Sequence, residues 1–462
     1  MIRPLLRLAA LAATATLAVG PVWQAAAIPP PPVDPALAPA PGLPPVPPEA
    51  TEQKTVCDRA LMAGAPPRSA SDAALELGLA SAWQFSRGGG QTVAVIDTGV
   101  SRHPRLPHLI PGGDYVSNTD GLVDCDAHGT LVAGLIAGKP SPDDGFSGVA
   151  PDAAIIGIRQ LSLAFEAKDY RRRETPGEVS VGGFGNVWTL ALSVVRAVEL
   201  GATVINISEV ACAPAGAGIT DGALGAAVKL AHDRNVVVVA AAGNLQDSGP
   251  CKEQNDGSGW GAVKTSASPA WFSPYVLSVA STDPDGAASP FSLYGPWVSV
   301  AAPGRNVVSL DSAGPGLVNV RKGDNDSRHP IDGTSFSSAY VAGAVALVRA
   351  RFPTLTAGQV IDRVIRTAHA PSRGRDDRLG AGMIDPVAAL TAELPDRPVQ
   401  FGSEYGKPMA EPPQPKRKSP WPTRIAVGGT IGCLAVLGLG YALSVPYRRD
   451  PRRKSLTENV DY

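Results

Sequence analysis

Short apolar runs and longer amphipathic stretches alternate through the middle of the chain. The runs are VAVI from Val93, AIIGI from Ala154, TVINIS from Thr203, VVVVAAAG from Val236 and YVLSVAS from Tyr275. Each is short, rich in β-branched residues and apolar on both alternating faces, which predicts strands covered on both sides. Between them, VWTLALSVVRAVELG and GALGAAVKLAHDRN repeat apolar residues at helical spacing. Buried strands joined by helices predict the α/β class, a mostly parallel, doubly wound central sheet with helices on both faces. In such sheets ligands bind at the carboxyl ends of the strands. Asp97 stands at one such end, in VAVIDTGV.

The two ends of the chain follow other patterns. MIRPLLRLAALAATATLAVGPVWQAAA carries Arg3 and Arg7, then a short apolar run and small residues ending at Ala27, the pattern of a secretory signal peptide. Ile425 to Val445 is uncharged and long enough to cross a bilayer, and YRRDPRRK follows it. Basic residues gather on the cytoplasmic side. The expectation is therefore a single-pass protein of the cell membrane with one transmembrane helix at 424–446, a cytoplasmic tail at 447–462, and its bulk on the extracytoplasmic (periplasmic) face. Eleven prolines between Ile28 and Ala50 forbid helix and ladder alike, so the arm, 28–79, begins extended, on the surface or floating. A second Pro-rich stretch, 395–423, reads as a tether for the folded domain at 80–394.

With 462 residues, 44% of them hydrophobic, the chain can bury a large core in one domain of several hundred residues. A net charge of -1, with basic residues clustered only at the C-terminus, excludes a nucleic-acid partner. Of five cysteines, Cys433 falls in the apolar C-terminal segment, leaving Cys57, Cys125, Cys212 and Cys251 in an oxidising compartment. Three pairings are open. Cys212 and Cys251 each follow the end of a strand, TVINIS and VVVVAAAG, that should be sheet neighbours, which favours that pair. Cys57 with Cys125 then closes a loop of roughly 70 residues, for which the chain-entropy account gives about 4 kcal/mol, and pins the arm beside the site.

DTG at Asp97 allows two enzymes or an inert strand end. An aspartic protease needs a second such loop to share a proton, and the chain contains no other DTG or DSG. The alternative needs a histidine and a nucleophile. His128 sits in DAHGTLVAGLIAG, where a polar turn breaks into a helix of small and apolar residues. Ser335, in DGTSFSSAYVAGAVALVRARF, starts a long apolar helix whose first N–H groups favour developing negative charge. Taken alone, Ser335 or Thr334 would read as an ordinary helix cap. VVVVAAAGN adds Asn244, a neutral N–H donor at the same carboxyl edge.

IDTGV, HGTLVAG, AAAGN and GTSFSSAYVAG resemble the four signature segments of the subtilisin-like serine proteases, from about Ala80 to Leu390. The resemblance implies that Ser335 attacks the peptide carbonyl, that His128 carries the proton, and that Asp97 orients the imidazole. Asn244 and the Ser335 backbone N–H would hold the oxyanion. Ser208, Glu209 and Val210 would line the substrate groove, in place of the S-L-G-G many members have. No metal and no cofactor are implied, because PSPDDGFSGVAP replaces the usual calcium loop and leaves Asp143 and Asp144 as solvated turn residues. The arm is too short and Pro-rich to build the inhibitory pro-domain of many subtilisins, and Leu163 to Gly185 reads as an inserted surface loop that could restrict the cleft.

Nearly the whole chain is also similar to the mycosins, membrane-anchored subtilisin-like proteases of mycobacterial type VII secretion systems. TEQKTVC, DCDAHGT, NISEVAC and the two apolar ends carry that likeness. It implies protein or peptide substrates from a limited set of secreted proteins, and partners among the subunits of the secretion membrane complex. The alternative function is a structural subunit that stabilises that complex, with proteolysis secondary.

Overall fold

Seven strands form one parallel sheet in the order β11, β10, β8, β6, β2, β4, β3. They are β2 (Thr92–Asp97), β3 (Leu109–Asp114), β4 (Ala154–Arg159), β6 (Val204–Ile207), β8 (Val237–Ala241), β10 (Val276–Thr282) and β11 (Val298–Pro303). Outside the sheet are β1 (Thr51–Gln53) and β5 (Phe165–Ala167), an antiparallel pair, and β7 (Ala211–Pro214) with β9 (Thr265–Ser268), another. The computed structural model describes residues 29–169, 183–247, 249–323, 326–394, 434–437 and 439–440.

Alternation along each strand feeds two cores. Val93 and Val95 of β2 join the core that holds α1 (His128–Ala137) and α4 (Thr334–Arg351), and Ala94 and Ile96 join the one that holds α2 (Val187–Glu199) and α3 (Gly222–Asp233). In β8, Val237 and Val239 go to the first core, Val238 and Ala240 to the second. This double burial is why the runs read as continuously apolar, and each fully buried Val or Ile contributes about 1.5–3 kcal/mol relative to exposure. α4 is buried from Thr334 through Val348, so it shows no polar face; its small residues let it lie against β6, β8 and β10.

The apolar pattern did not reveal β3 and β11, the two edges of the sheet. Pro111 and Gly112–Gly113 interrupt β3, which an edge strand tolerates because one side of its ladder is unpaired.

The arm lies on the surface rather than floating. The Gly42 N–H donates to the Glu199 carboxylate, Thr51 Oγ1 donates to the Val116 carbonyl at 2.6 Å, and β1 pairs with β5. Disulfides join Cys57 to Cys125 and Cys212 to Cys251. Beyond them the Leu61 N–H donates to Val320 O at 2.8 Å.

The signal peptide, the 395–423 tether, the 447–462 tail and most of the 424–446 segment lie outside the described residues. Residues 434–437 and 439–440, in a second unit comprising Gln400–Tyr462, are helical. Among the described residues no helix is long and apolar enough to cross a membrane.

Candidate active site

Strand order reverses at β2. The chain leaves it for β3 and β4 on one side, then crosses to β6 on the other, so the carboxyl ends of β2 and β6 border the crevice where α/β sheets bind ligands. Asp97 ends β2, and Ser208 follows β6.

Two glycines bring the first pair of side chains together. A Cβ on Gly129 would stand 2.0 Å from the Gly99 carbonyl oxygen, and one on Gly99, where φ is +100°, would stand 2.1 Å from Val123 O. Glycine at 129 lets the start of α1 touch the turn after β2, and glycine at 99 lets that turn pack on the Val123 backbone, which explains HG and DTG. His128 Nδ1 then lies 2.7 Å from Asp97 Oδ1. Asp97, 0% exposed, also accepts from the Thr98 N–H at 2.7 Å. With Nδ1 protonated toward the carboxylate, Nε2 is left as the base. Burial alone would push the imidazole down, but the charge and hydrogen bond of Asp97, aided by Glu209, hold it above its ordinary value.

A third residue anchors this contact. Asp124 accepts from Thr98 Oγ1 (2.8 Å), the Asp126 N–H (3.2 Å), and the Thr130 N–H (2.8 Å) and Oγ1 (2.6 Å). It thereby ties the residue after Asp97 to the first turn of α1. Burial raises its carboxyl to about 6 despite those donors.

Ser335 occupies the first turn of α4, and Gly333 rather than a hydroxyl residue precedes the helix. Its Oγ donates to the Ser208 carbonyl at 3.1 Å, not to His128. The imidazole is nonetheless beside this turn, because its ring centroid lies 5.4 Å from that of Phe336. Ser335 and His128 line one cleft of about 370 Å³. Asn244 lines it too. Its Oδ1 accepts from Thr334 N–H (3.0 Å) and Oγ1 (2.9 Å). Two donors on the oxygen fix which end of the amide is which, leaving Nδ2–H₂ as the donor available to the cleft.

Ser208, Glu209 and Val210 line the same cleft. Glu209 Oε1 is 3.7 Å from His128 Nδ1, and its side chain is 21% exposed. Burial, then the negative charge of Asp97, raise this carboxyl to about 7 against the pull of His128 and Arg321. The apolar and charge patterns pointed neither to Arg321 nor to the arm residues Thr55, Val56 and Asp58, which also border the cleft. For the arm residues the available signal was Cys57 and its pairing to Cys125, three residues before His128.

Asp143 is exposed, but Asp144 is not a solvated turn residue. Its two oxygens take Arg105 Nη1 at 3.0 and 2.8 Å, and both side chains are 11% exposed. From the inserted loop, Leu163 and Ala164 reach the cleft, and 170–182 lie outside the described residues.

A sequence profile described as the Subtilase family matches residues 88–382. The chain is similar to Mycosin-4 of Mycobacterium tuberculosis, 45% identical over 445 residues, 94% of each chain. Among solved structures it resembles the MycP3 protease from the type VII (ESX-3) secretion system, with 46% identity, a TM-score of 0.74, and 79% of this chain and 100% of that one covered. It also resembles a chain in the structure of an intact ESX-5 inner membrane complex, with 43% identity, a TM-score of 0.75, and coverage of 90% and 100%.

Proposed function

The chain belongs to the mycosins, within the subtilase family, and from that premise we propose that this serine endopeptidase works through Ser335, His128, Asp97 and Asn244. Ser335 Oγ turns from the Ser208 carbonyl to His128 Nε2 and attacks the peptide carbonyl as His128 takes its proton. Asp97 keeps Nδ1 protonated and balances the imidazolium that forms. The oxyanion lies between Asn244 Nδ2 and the Ser335 N–H. His128 returns the proton to the leaving amine, then activates the water that cleaves the acyl-enzyme. The supporting observation is the 2.7 Å Asp97–His128 bond at the rim of the cleft shared with Ser335. A fluorophosphonate probe should label the wild type and spare Ser335→Ala; absence of labelling at every pH from about 6 to 9, the range in which a neutral imidazole is accessible, would overturn it.

The enzyme acts on secreted proteins or peptides from the outer face of the cytoplasmic membrane, held there by a single helix at 424–446, and associates with a type VII secretion complex. The uncharged segment with its basic flank supports the anchor. Likeness to a chain of the ESX-5 inner membrane complex supports the association. Protease added to spheroplasts should degrade the catalytic domain and spare an epitope after Tyr447; the reverse pattern refutes the topology.

That same likeness favours a second role as a structural subunit of the complex. Ser335→Ala should then restore secretion in a deletion strain. Failure to do so refutes a scaffold role independent of proteolysis.

A further inference from the structure

We propose that Glu209 is a positioning residue for the reaction, a second carboxyl that flanks His128 with Asp97 and sets the pH range over which the imidazole serves as base. The inference rests on the protease reading above.

Geometry carries it. Asp97, His128 and Glu209 each offer one nitrogen or oxygen, and these lie within 4.8 Å of one another. The imidazole therefore has two carboxyls within reach of its Nδ1 side, at 2.7 Å and 3.7 Å. Asp97 uses only one of its oxygens; Oδ2 is buried and has no partner among the described residues. A protonated Glu209 brings an O–H donor into this cluster, and an ionised Glu209 is a counter-charge for the imidazolium. The surrounding charges are Asp97 at the end of β2, His128 at the start of α1, Asp126 ahead of α1, and Arg321 on the strand Val320–Lys322. Asp58 of the arm borders the same cleft.

Such an arrangement has a direct chemical consequence. When the Ser335 proton moves to His128 Nε2, positive charge appears on a ring with carboxyls at its other edge, and the charge of Glu209 adds to that of Asp97 in holding it. The two groups exchange protons as a pair rather than singly. Glu209 as carboxylate raises His128, while burial together with Asp97 raises Glu209 to about 7.

The test measures the second-order rate constant for labelling of Ser335 by a fluorophosphonate across pH 5 to 9, in wild type, Glu209→Gln and Glu209→Leu. Replacing the carboxylate removes a charge that favours the imidazolium, so the acid limb should move to lower pH by about one unit, a shift of the size expected for a partly exposed charge at this distance. The wild-type limb should be broad, and that of Glu209→Gln should fit one proton. A purely structural role would lower the rate at all pH values and leave the midpoint in place. An unmoved or upward-shifted midpoint in a variant that melts like the wild type overturns the proposal. If the wild type is not labelled at all, the protease reading fails instead.

Discussion

Asn244 can hold an oxyanion only if its amide is turned the right way, and Thr334 is what turns it. Thr334→Val removes the 2.9 Å hydrogen bond from Oγ1 to Asn244 Oδ1 and leaves the 3.0 Å bond from the backbone N–H. One neutral hydrogen bond contributes about 0.5–1.5 kcal/mol net, so the labelling rate with a fluorophosphonate should fall roughly 2- to 10-fold. Asn244→Ala removes the donor itself and should cost about 100- to 1000-fold, a range measured on the corresponding residue of subtilisin, a relative. In the Asn244→Ala background Thr334→Val should cost nothing further, because there is no amide left to orient. Single-turnover labelling of all four proteins gives the coupling directly. Equal losses from Thr334→Val in both backgrounds would refute the claim that Thr334 acts through the amide.

Gly129→Ala drives a methyl into the Gly99 carbonyl, a rigid backbone contact, and should cost about 2–3 kcal/mol in denaturant unfolding while separating His128 from Asp97; a loss below about 0.5 kcal/mol would contradict the close approach. Asp124→Asn points an N–H at donors on Thr98 or Thr130 and should cost about 2–4 kcal/mol. Asp124 is held at about 6, above its unfolded value, so its stabilisation is complete below about pH 4 and is lost as pH rises through 6. The deficit of the Asn variant should therefore shrink between pH 4 and 7, and a deficit that grows would reverse the sign. Removing the Cys57–Cys125 link, whose cysteines are 68 residues apart, with paired serines should lower unfolding free energy by about 4 kcal/mol; unchanged denaturation midpoints would show that the arm docks without it.

Asp97, His128, Ser335 and Asn244 stood out as candidates in the sequence because each sits at a boundary of an apolar run, Asp97 and Asn244 after a strand and His128 and Ser335 at the start of a helix. The buried run predicts the element, and the polar residue at its tip has no packing reason to be there. Glu209 also follows such a run, but its proximity to the imidazole depends on β6 lying beside β2, a fact of topology. Arg321 and Asp58 reach the cleft from a hairpin and an arm with no apolar period to register them. Likewise β3 hides behind Pro111 and two glycines, while Asp144 reads as a turn residue because its partner, Arg105, lies across a loop. Local pattern reports burial well and reports long-range side-chain pairing only where a glycine betrays a close approach, as at Gly99 and Gly129.

The Cys57–Cys125 bond separates scission from departure. A cut anywhere between those residues leaves both pieces joined, so a clipped molecule keeps its full mass until a reductant is added. Between Gln53 and Cys57, a nick would still leave the edge pairing of Thr51–Gln53 to be peeled away before the N-terminal piece could go.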